Sequence, residues 1–488
     1  MKKEQGLGNS VLKLTVSKIM ALLITLLSGM LLSRFRTLEE YGTYSQLMLI
    51  TTVATTISVM GLPNCLNYFL VRIEDKEEKS RFLSVYYTAN TILGIILGIV
   101  LVCLIPVWVS YFSNPILKMY LYFLAVYPWT TIIGSSVENL LVVYEKTEYI
   151  IKYRFLNSLF VLCSIIFVQI MQWSFQVYIF MYLLVQIAFT IWIYVVVKKL
   201  AQNVQWTIDF ALLKKMLVFS LPLGLATTVG TINIELDKLL VGRLLDTEQL
   251  AIYTNASKEM PVAIVASSIT AVLLPQMTKY LMRKEENKAI NLWGHAIRIS
   301  YAFICFIAML LFVFSSEVIE ILYSEKYLPG EPVFRIYCLL LPLRCTYWGM
   351  VLNAVGKTSS IFYSSIGALV LNFILNLVLY RNMGVIGFAI ATVLTQFGMA
   401  FFQLMMTKRV LKVQWKNILP WRAIVIITVL NVVLGVTLSL LQESIFLNLH
   451  IHNLVGVICL GLLGCGVYCL ILFKWFIKSW KNLKVESD

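Results

Sequence analysis

Six charged side chains lie inside or at the edges of long apolar stretches of this sequence. A charge at the centre of a membrane costs about 2.5 to 3.5 kcal/mol or more, so each such residue needs a function or a partner. We therefore treat these six as the candidate functional residues of the chain. They are Lys18, Glu138, Asp237, Lys238, Arg298 and Arg344.

Three of the six are cations suited to phosphate groups. Arg298 and Arg344 each carry a guanidinium, whose fork of donors matches phosphate oxygens, and Lys18 carries a compact ammonium. We predict that these three bind substrate in a water-filled cavity. The alternatives are that each arginine pairs with a carboxylate, or that Lys18 and Arg298 extend along their stems to the membrane surface.

The other three residues are candidates for ion coupling. The carboxylates of Glu138 and Asp237 could titrate or bind a cation during a transport cycle. Asp237 and Lys238 are neighbours and would point about 100° apart on a helix, so they cannot face each other as one pair. A fixed salt bridge between helices, or simple placement at the membrane surface, remains the alternative.

The sequence contains no pattern typical of catalysis. His295, His450 and His452 do not cluster with carboxylates or cysteines, and there is neither a phosphate-binding Walker loop nor a Gly-x-Ser-x-Gly turn. None of the nine cysteines forms a CxxC pair, and we expect them to be small buried hydrophobes. We predict no catalytic residue, no metal site and no cofactor, and so not an enzyme.

Composition excludes a soluble globular protein. Of the 488 residues, 59% are hydrophobic and 13% are charged, and the mean hydropathy is +0.82. So little polar surface cannot cover a soluble protein of this length. The formal charge of +15 does not indicate nucleic acid, because Lys and Arg fall between apolar runs rather than in one tract. Membrane lipids are the expected surroundings.

The elements that must position the six residues are membrane-spanning helices, each about twenty mostly apolar residues long. The sequence predicts an all-α polytopic membrane protein of about fourteen transmembrane helices. The apolar windows are 12–32, 43–62, 86–110, 119–142, 155–171, 177–197, 217–240, 257–277, 291–314, 332–354, 359–380, 385–406, 421–441 and 452–473.

Positive charges alternate between the loops. If the N-terminus is cytoplasmic, 29 of the 40 Lys and Arg residues fall in the N-terminal segment, alternate loops and C-terminal tail that share its side. Cytoplasmic loops carry the excess of Lys and Arg in membrane proteins. The pattern predicts an even number of spans with both termini in the cytoplasm.

An internal repeat is visible in two similar segments, which follow the first and the seventh windows. Equal topology six helices apart predicts two parallel six-helix lobes related by a pseudo-two-fold axis along the membrane normal, followed by two extra helices. The predicted divisions are 1–200, 201–412 and 413–488. A single shift matches Arg34 with Arg243, Glu39 with Glu248 and Tyr44 with Tyr253.

Three segments resemble the polysaccharide transporter family within the multidrug/oligosaccharidyl-lipid/polysaccharide exporter superfamily, and the resemblance covers essentially the whole chain. One departure is that Arg36 and Thr37 stand where the family usually has Gly-Pro after the first arginine. The segments are Leu32–Ser45 with its acidic-Tyr-Gly core, Asp237–Gly242 leading to Tyr253, and Asn372–Asn376 followed by Gly384–Thr392.

The resemblance implies a flippase that moves undecaprenyl-diphosphate-linked oligosaccharide repeat units across the bacterial inner membrane, for O-antigen, capsule or exopolysaccharide. Alternating access of two lobes is the expected mechanism. The implied partners are the lipid-linked oligosaccharide, membrane lipids, a glycan polymerase and glycosyltransferases. The alternatives are a drug or small-molecule exporter of the same superfamily, and a membrane glycan polymerase or ligase, which the short loops disfavour.

The charge pattern generates a topology prediction. Reporter domains fused after Tyr149 and after Lys284 should report the cytoplasm, because both sites lie in loops rich in Lys and Arg. Fusions near Pro115 and Pro329 should report the opposite side and serve as the matched controls. An external signal from either of the first two fusions would overturn the predicted topology.

Overall fold

Helices make up most of the chain in the computed structural model, which describes residues 2–201, 204–258, 260, 262–449 and 453–487. No strand occurs within these ranges. The all-α prediction is therefore confirmed. Contacts between residues divide the chain into two compact units, Met1–Ile252 and Tyr253–Asp488, and the division falls within one short helix.

The first unit is built mainly from six long helices joined by short ones. A π-helical turn occupies Leu66–Leu70, and a 3-10 turn occupies Pro115–Tyr120. The α-helices are α1 (Lys2–Phe35), α2 (Leu38–Val59), α3 (Pro63–Cys65), α4 (Lys76–Cys103), α5 (Ile105–Phe112), α6 (Leu121–Gly134), α7 (Val137–Val143), α8 (Thr147–Ile170), α9 (Phe175–Leu200), α10 (Phe210–Leu244) and α11 (Thr247–Ala256).

The second unit is likewise built from long helices joined by short helical segments. Its 3-10 turns occupy Glu325–Gly330 and Leu341–Cys345. The α-helices are α12 (Ala263–Met282), α13 (Glu286–Val313), α14 (Ser315–Tyr323), α15 (Glu331–Cys338), α16 (Met350–Ala354), α17 (Thr358–Met383), α18 (Val385–Leu411), α19 (Trp415–Ile418), α20 (Trp421–Leu449) and α21 (Asn453–Ser487).

Eleven helical segments in the described part of the chain are long and apolar enough to cross a membrane. The number is twelve if α2 and the segment Pro63–Leu70, which meet at a bend of 44°, form one span. The polytopic prediction is confirmed. Two of the fourteen predicted windows differ from these segments. The eighth, 257–277, corresponds to α12, which is not among the segments long and apolar enough to cross a membrane, and the tenth, 332–354, is interrupted.

The tenth window, 332–354, is not the continuous helix that its hydropathy predicts. The structure has α15, then the 3-10 turn Leu341–Cys345, then α16. Pro342 lies in the first turn of the 3-10 segment and has no N–H to continue a helix. Thr346 is fully extended, with φ −155° and ψ 166°. Arg344, expected near the middle of a helix, therefore lies in an irregular turn.

The interrupted segment is fixed to α13 by buried polar contacts. The hydroxyl of Ser300 donates to the carbonyl of Cys345 at 2.5 Å. The indole N–H of the fully buried Trp293 donates to the Thr346 hydroxyl at 2.8 Å. These bonds satisfy polar groups in a region where a regular helix would have satisfied its own backbone.

The internal repeat extends to the helix boundaries. The shift that places Arg34 on Arg243 also superposes the ends of α1 and α10 and the starts of α2 and α11. With one further residue of shift, α4 and α13 coincide at both ends, because each is 28 residues long. Even the helix caps correspond, since Thr37 accepts from the Glu40 N–H and Asp246 accepts from the Gln249 N–H. The lobe limits 1–200, 201–412 and 413–488 remain a prediction.

The start of α10 is fixed by a capping carboxylate. Asp209 accepts hydrogen bonds from the backbone N–H groups of Ala211 and Leu212, and it forms an ion pair of 2.6 Å with Arg81 at the start of α4. The Leu212 N–H and the Arg81 guanidinium hold the pKa of Asp209 below its usual range. This contact joins two long helices of the first unit.

Helices α4 and α6 approach closely at Gly94 and Gly98. A Cβ at Gly98 would lie 2.0 Å from the carbonyl oxygen of Ala125, and one at Gly94 would lie 2.6 Å from the Cα of Trp129. Small residues four apart allow membrane helices to pack backbone against backbone. The α4–α6 pair therefore depends on the absence of a side chain at these positions.

We predict that Gly98→Ala destabilises the protein by about 1–3 kcal/mol, because the added methyl overpacks a rigid backbone contact. Thermal unfolding of the detergent-solubilised protein should show a lower midpoint. Gly230→Ala in α10 is the control, because a Cβ there meets nothing within 4 Å. Equal midpoints for Gly98→Ala and the parent protein would contradict the close packing.

Candidate functional site

Two cations come together in the first unit, one in the middle of α1 and one seven residues into α8. Lys18 is exposed and is the first residue of the apolar span Lys18–Phe35. Its ammonium lies close enough to the guanidinium of Arg154 for the two charges to repel each other. Farther along the same helices, the hydroxyls of Thr25 and Ser158 are 3.5 Å apart. The order of these contacts means that α1 and α8 run in the same direction.

Glu138, in the first turn of α7, forms an ion pair with Arg154. The side chain of Glu138 is 40% exposed and that of Arg154 is 29% exposed. The structure thus brings together Lys18, predicted to bind substrate, and Glu138, predicted to couple ions. We call Lys18, Glu138 and Arg154 the basic cluster.

Arg154 was missed by the sequence analysis. It was counted among the loop cations that set topology, because the apolar window was drawn from residue 155. In the structure it lies seven residues after the start of α8, about 10 Å along the helix. A window that began at the helix start would have revealed it as a charge within a span.

The basic cluster has one more positive than negative charge. Lys18 and Arg154 contribute two cations and Glu138 contributes one carboxylate. Like charges that lie close together repel each other, and an anion between them removes that repulsion. The cluster can therefore accept an anionic group such as a phosphate.

A strip of polar and aromatic side chains continues from the cluster. On α8, Asn157 lies one turn beyond Arg154, and its amide donates to Gln186 on α9 at 3.3 Å. Tyr182, one turn before Gln186, has its hydroxyl 3.2 Å from that of Tyr127 on α6. Residues three or four apart share one helix face, so the contacts form a continuous line. We call Arg154, Asn157, Gln186, Tyr182 and Tyr127 the polar strip.

Further aromatic rings border the strip. Tyr44 of α2 makes an edge-on contact with Tyr182 at a centroid distance of 6.4 Å, and Phe123 stacks on Tyr127 at 4.5 Å. Tyr44, Tyr127 and Tyr182 are half-buried. A tyrosine combines an apolar face with a hydroxyl, which suits a ligand that has both kinds of surface. The sequence analysis missed these residues, although the 25 tyrosines were a signal.

The two ion-coupling candidates of α10 have different surroundings. Lys238 forms an ion pair of 2.8 Å with Glu235, one turn earlier on the same helix, and not with its neighbour Asp237. Asp237 is 1% exposed and interacts with other groups of the protein. Among the described residues, no group of three or more His, Cys, Asp and Glu side chains could hold a metal ion. The coupling roles remain predictions.

The other two cation candidates lie in separate places of the second unit. Arg298 of α13 lines a polar pocket of about 600 Å³ together with Lys416 and Arg422. Arg344 is half-buried, has bonding partners, and lines a cavity of about 10 Å³ beside Lys258. That volume suits a single water molecule and not a diphosphate. The two arginines therefore line different pockets.

An apolar pocket of about 500 Å³ lies between α13, α15 and α20. Its walls are mainly hydrophobic, with Phe312 and Val313 on one side and Val432 and Val436 on the other. Arg335 reaches its edge, where it is held by an ion pair of 2.7 Å with Glu331. The pocket can accommodate part of an apolar chain.

Comparison with known proteins agrees with this architecture. The model of a family described as "Polysaccharide biosynthesis protein" matches residues 31–332. A relative is the uncharacterized membrane protein MJ1068 of Methanocaldococcus jannaschii, 28% identical over 211 residues. That match spans 41% of this chain and 40% of the relative, so the chain matches less than half of that protein's length.

Two solved structures share the fold. The lipid II flippase MurJ, in an inward closed conformation, superposes with a TM-score of 0.71 at 16% identity, covering 94% of this chain and 99% of MurJ. An inward-facing multidrug resistance transporter of the MATE family superposes with a TM-score of 0.67 at 14% identity, covering 83% of this chain and 98% of that one. The chain therefore belongs to the polysaccharide biosynthesis protein family and has the all-α membrane-transporter fold shared by MurJ and the MATE transporters of the MOP superfamily.

Proposed function

We propose that this protein is a flippase that moves undecaprenyl-diphosphate-linked oligosaccharide repeat units across the membrane by alternating access. The observation that supports this most is the basic cluster, where Arg154 pairs with Glu138 and also interacts electrostatically with Lys18 on the neighbouring helix α1. The polar strip leads away from that cluster. The diphosphate would bind the cations, and the sugars would lie along the strip.

The cluster suggests how binding and release are balanced. In the absence of substrate, Glu138 neutralises Arg154. An arriving diphosphate offers more acceptor oxygens than a carboxylate, so it replaces Glu138 as the partner of the guanidinium. The freed carboxylate can then take up a proton or a cation, which couples substrate binding to an ion. On release, Glu138 returns and lowers the cost of leaving Arg154 without its anion.

The polar strip fits the oligosaccharide part of the substrate. Sugar rings present apolar C–H faces and hydroxyl edges, and half-buried tyrosines offer a matching ring face and a hydroxyl. The amides of Asn157 and Gln186 add donors and acceptors to the same line. Because a tyrosine face tolerates many sugars, this arrangement is compatible with repeat units of O-antigen, capsule or exopolysaccharide.

Two observations favour a flippase over a drug exporter of the same superfamily. The similarity to MurJ covers 94% of this chain, whereas that to the multidrug transporter covers 83%. Helix α20 also forms one wall of the apolar pocket that could receive part of a polyprenyl chain. A drug exporter, whose cargo has no polyprenyl tail, would not need this pocket.

The setting proposed for this multi-pass protein follows from the substrate. We place it in the bacterial inner membrane with both termini cytoplasmic, where glycosyltransferases assemble the lipid-linked unit. A glycan polymerase on the opposite side would consume the transported lipid-linked unit.

The remaining candidate residues have proposed roles in transport. Asp237 and Lys238 are proposed to take part in ion coupling, and Arg298 and Arg344 are proposed to bind anionic groups.

We predict that Arg154→Gln and Lys18→Gln each slow transport about tenfold or more, because a hydrogen bond to a charged group contributes about 1.5–3 kcal/mol. The assay uses proteoliposomes that contain a fluorescent undecaprenyl-diphosphate oligosaccharide. A membrane-impermeant quencher then reports how fast the label reaches the outer leaflet.

Lys152→Gln is the matched control, because Lys152 is exposed on the same helix, two residues before Arg154. It removes the same charge and should leave the rate unchanged. Transport by Arg154→Gln at the parent rate would rule out the basic cluster as the substrate site. No transport by the parent protein would contradict the proposed function itself.

For Arg344 we predict a graded loss: Arg344→Lys should transport partially and Arg344→Ala still less, at equal protein level. Lysine keeps the charge but lacks the bidentate fork. Because the cavity beside Arg344 holds about one water here, contact with a head group requires another conformation of the cycle. Arg381→Ala, at an exposed position of α17, is the control. Normal glycan export by Arg344→Ala would leave this residue a packing role only.

A further inference from the structure

A second concentration of positive charge surrounds the connection between α18 and α20, away from the basic cluster in sequence. Two pockets flank this connection, and Val413 lines both. One, of about 400 Å³, is lined by Met405, Lys408, Arg409, Lys412, Val413 and Trp415. The other, of about 600 Å³, has the polar lining residues Asn287, Asn291, His295, Arg298, Lys416, Asn417 and Arg422. We call the larger one the Arg298 pocket.

Within the described part of the chain, no carboxylate lines either pocket. Two acidic residues stand at the start of α13, and neither lines a pocket: Glu285 forms an ion pair with Lys288 at 3.1 Å, and Glu286 is the first residue of the helix. The Arg298 pocket therefore collects three cations, Arg298, Lys416 and Arg422, and its described walls supply no protein anion. Arg298 is the half-buried member of the three, and a cation in such a place is stabilised by a negatively charged partner from outside the protein.

Arg298 is the deepest of the three cations. It lies twelve residues after the start of α13, about 18 Å along the helix. Its side chain is half-buried, and its Nε is buried without a hydrogen-bond partner within the described ranges of the chain. A guanidinium placed this way has donors available for a ligand in the pocket.

Two tryptophans frame the connection. Trp415 stacks on Phe401 at a centroid distance of 5.6 Å with the rings 5° from parallel, and the Lys408 ammonium lies 5.2 Å from its ring centre. The indole N–H of Trp421 donates to the carbonyl of Trp415 at 2.7 Å. Tryptophans at the ends of spans mark the level of lipid head groups. These tryptophans therefore indicate that the pocket lies at the level of the lipid head groups.

We propose that the Arg298 pocket binds the phosphoryl head group of an anionic membrane phospholipid. Basic pockets between membrane helices at the interface suit such head groups, and each cation near the surface adds to the attraction. The three asparagines complete the shell with neutral hydrogen-bonding groups. The bound lipid connects the middle of α13 to the start of α20. This site is separate from the basic cluster and does not depend on the proposed function.

Lipid-dependent unfolding of the purified full-length protein tests this proposal. Phosphatidylglycerol added to the detergent solution should raise the unfolding midpoint in a saturable manner, since a ligand that binds only the folded state stabilises it. Phosphatidylcholine and inorganic phosphate should not do so at the same concentrations. Equal stabilisation by phosphatidylcholine would overturn the proposal, and so would stabilisation by inorganic phosphate alone.

Substitutions in the Arg298 pocket test whether phosphatidylglycerol binds there. Arg298→Gln and Arg422→Gln should each weaken phosphatidylglycerol binding, about tenfold for Arg298→Gln, the more buried position. Arg422 is exposed, so its variant keeps the test valid if Arg298→Gln does not fold. Lys288→Gln is the control, because it removes one charge from α13 at a side chain that is 63% exposed and lines neither pocket. If both pocket variants bound phosphatidylglycerol with the affinity of the parent protein, the proposed site would be wrong.

A final binding experiment distinguishes a membrane phospholipid from the transported substrate as the ligand of the pocket. Undecaprenyl diphosphate should bind Arg422→Gln as tightly as it binds the parent protein. If Arg422→Gln instead lost binding of undecaprenyl diphosphate while phosphatidylglycerol binding persisted, the pocket would belong to the substrate and the lipid proposal would be wrong. Failure of transport in the proteoliposome assay does not affect this outcome, because lipid binding is measured without transport.

Discussion

A membrane interior cannot solvate a charge, and this constraint governs where each ion of the protein lies. The structure meets it in three ways. Lys238 and Glu235 pair along one helix, Arg154 and Glu138 pair between helices, and Arg298 faces a pocket lined by other polar groups. The first arrangement depends only on local spacing. The other two depend on which helices meet, so they carry information about the fold and its ligands.

The two anion sites differ in whether a carboxylate is present. In the basic cluster, Glu138 can take the place of a departing anion, so release does not leave Arg154 without a partner. The Arg298 pocket has no such group among its described residues, so an anion that leaves it would leave the half-buried Arg298 without a counter-charge from the pocket walls. A transport site must exchange its ligand, whereas a structural lipid stays in place. The distribution of carboxylates therefore supports the two proposals, a transient ligand at the first site and a lasting one at the second.

The features that could be predicted from the sequence are those set by local chemistry. Apolar windows identified the spans because each helix satisfies its own backbone in lipid. The repeat that matches Arg34 with Arg243 anticipated the corresponding ends of α1 and α10.

Hydropathy could not reveal the break at Pro342, because the residues on both sides are apolar. The partners of charges were also hidden, since Arg154 meets Glu138 only through the packing of α7 on α8. The tyrosines of the polar strip were missed for the same reason.

The repeat also explains why a symmetric scaffold can carry an asymmetric site. At the helix offsets found here, Lys18 corresponds to Thr227, and Arg298 corresponds to Thr88. Thr227 donates to the carbonyl of Gly224, and the buried Thr88 accepts from the Thr207 N–H. Each threonine meets its hydrogen-bonding needs locally, so it fits either half. A charged residue at the same position depends instead on the side chains that neighbouring helices bring to it, and these differ between the two halves. The backbone can therefore be duplicated while the charged positions of the two halves differ.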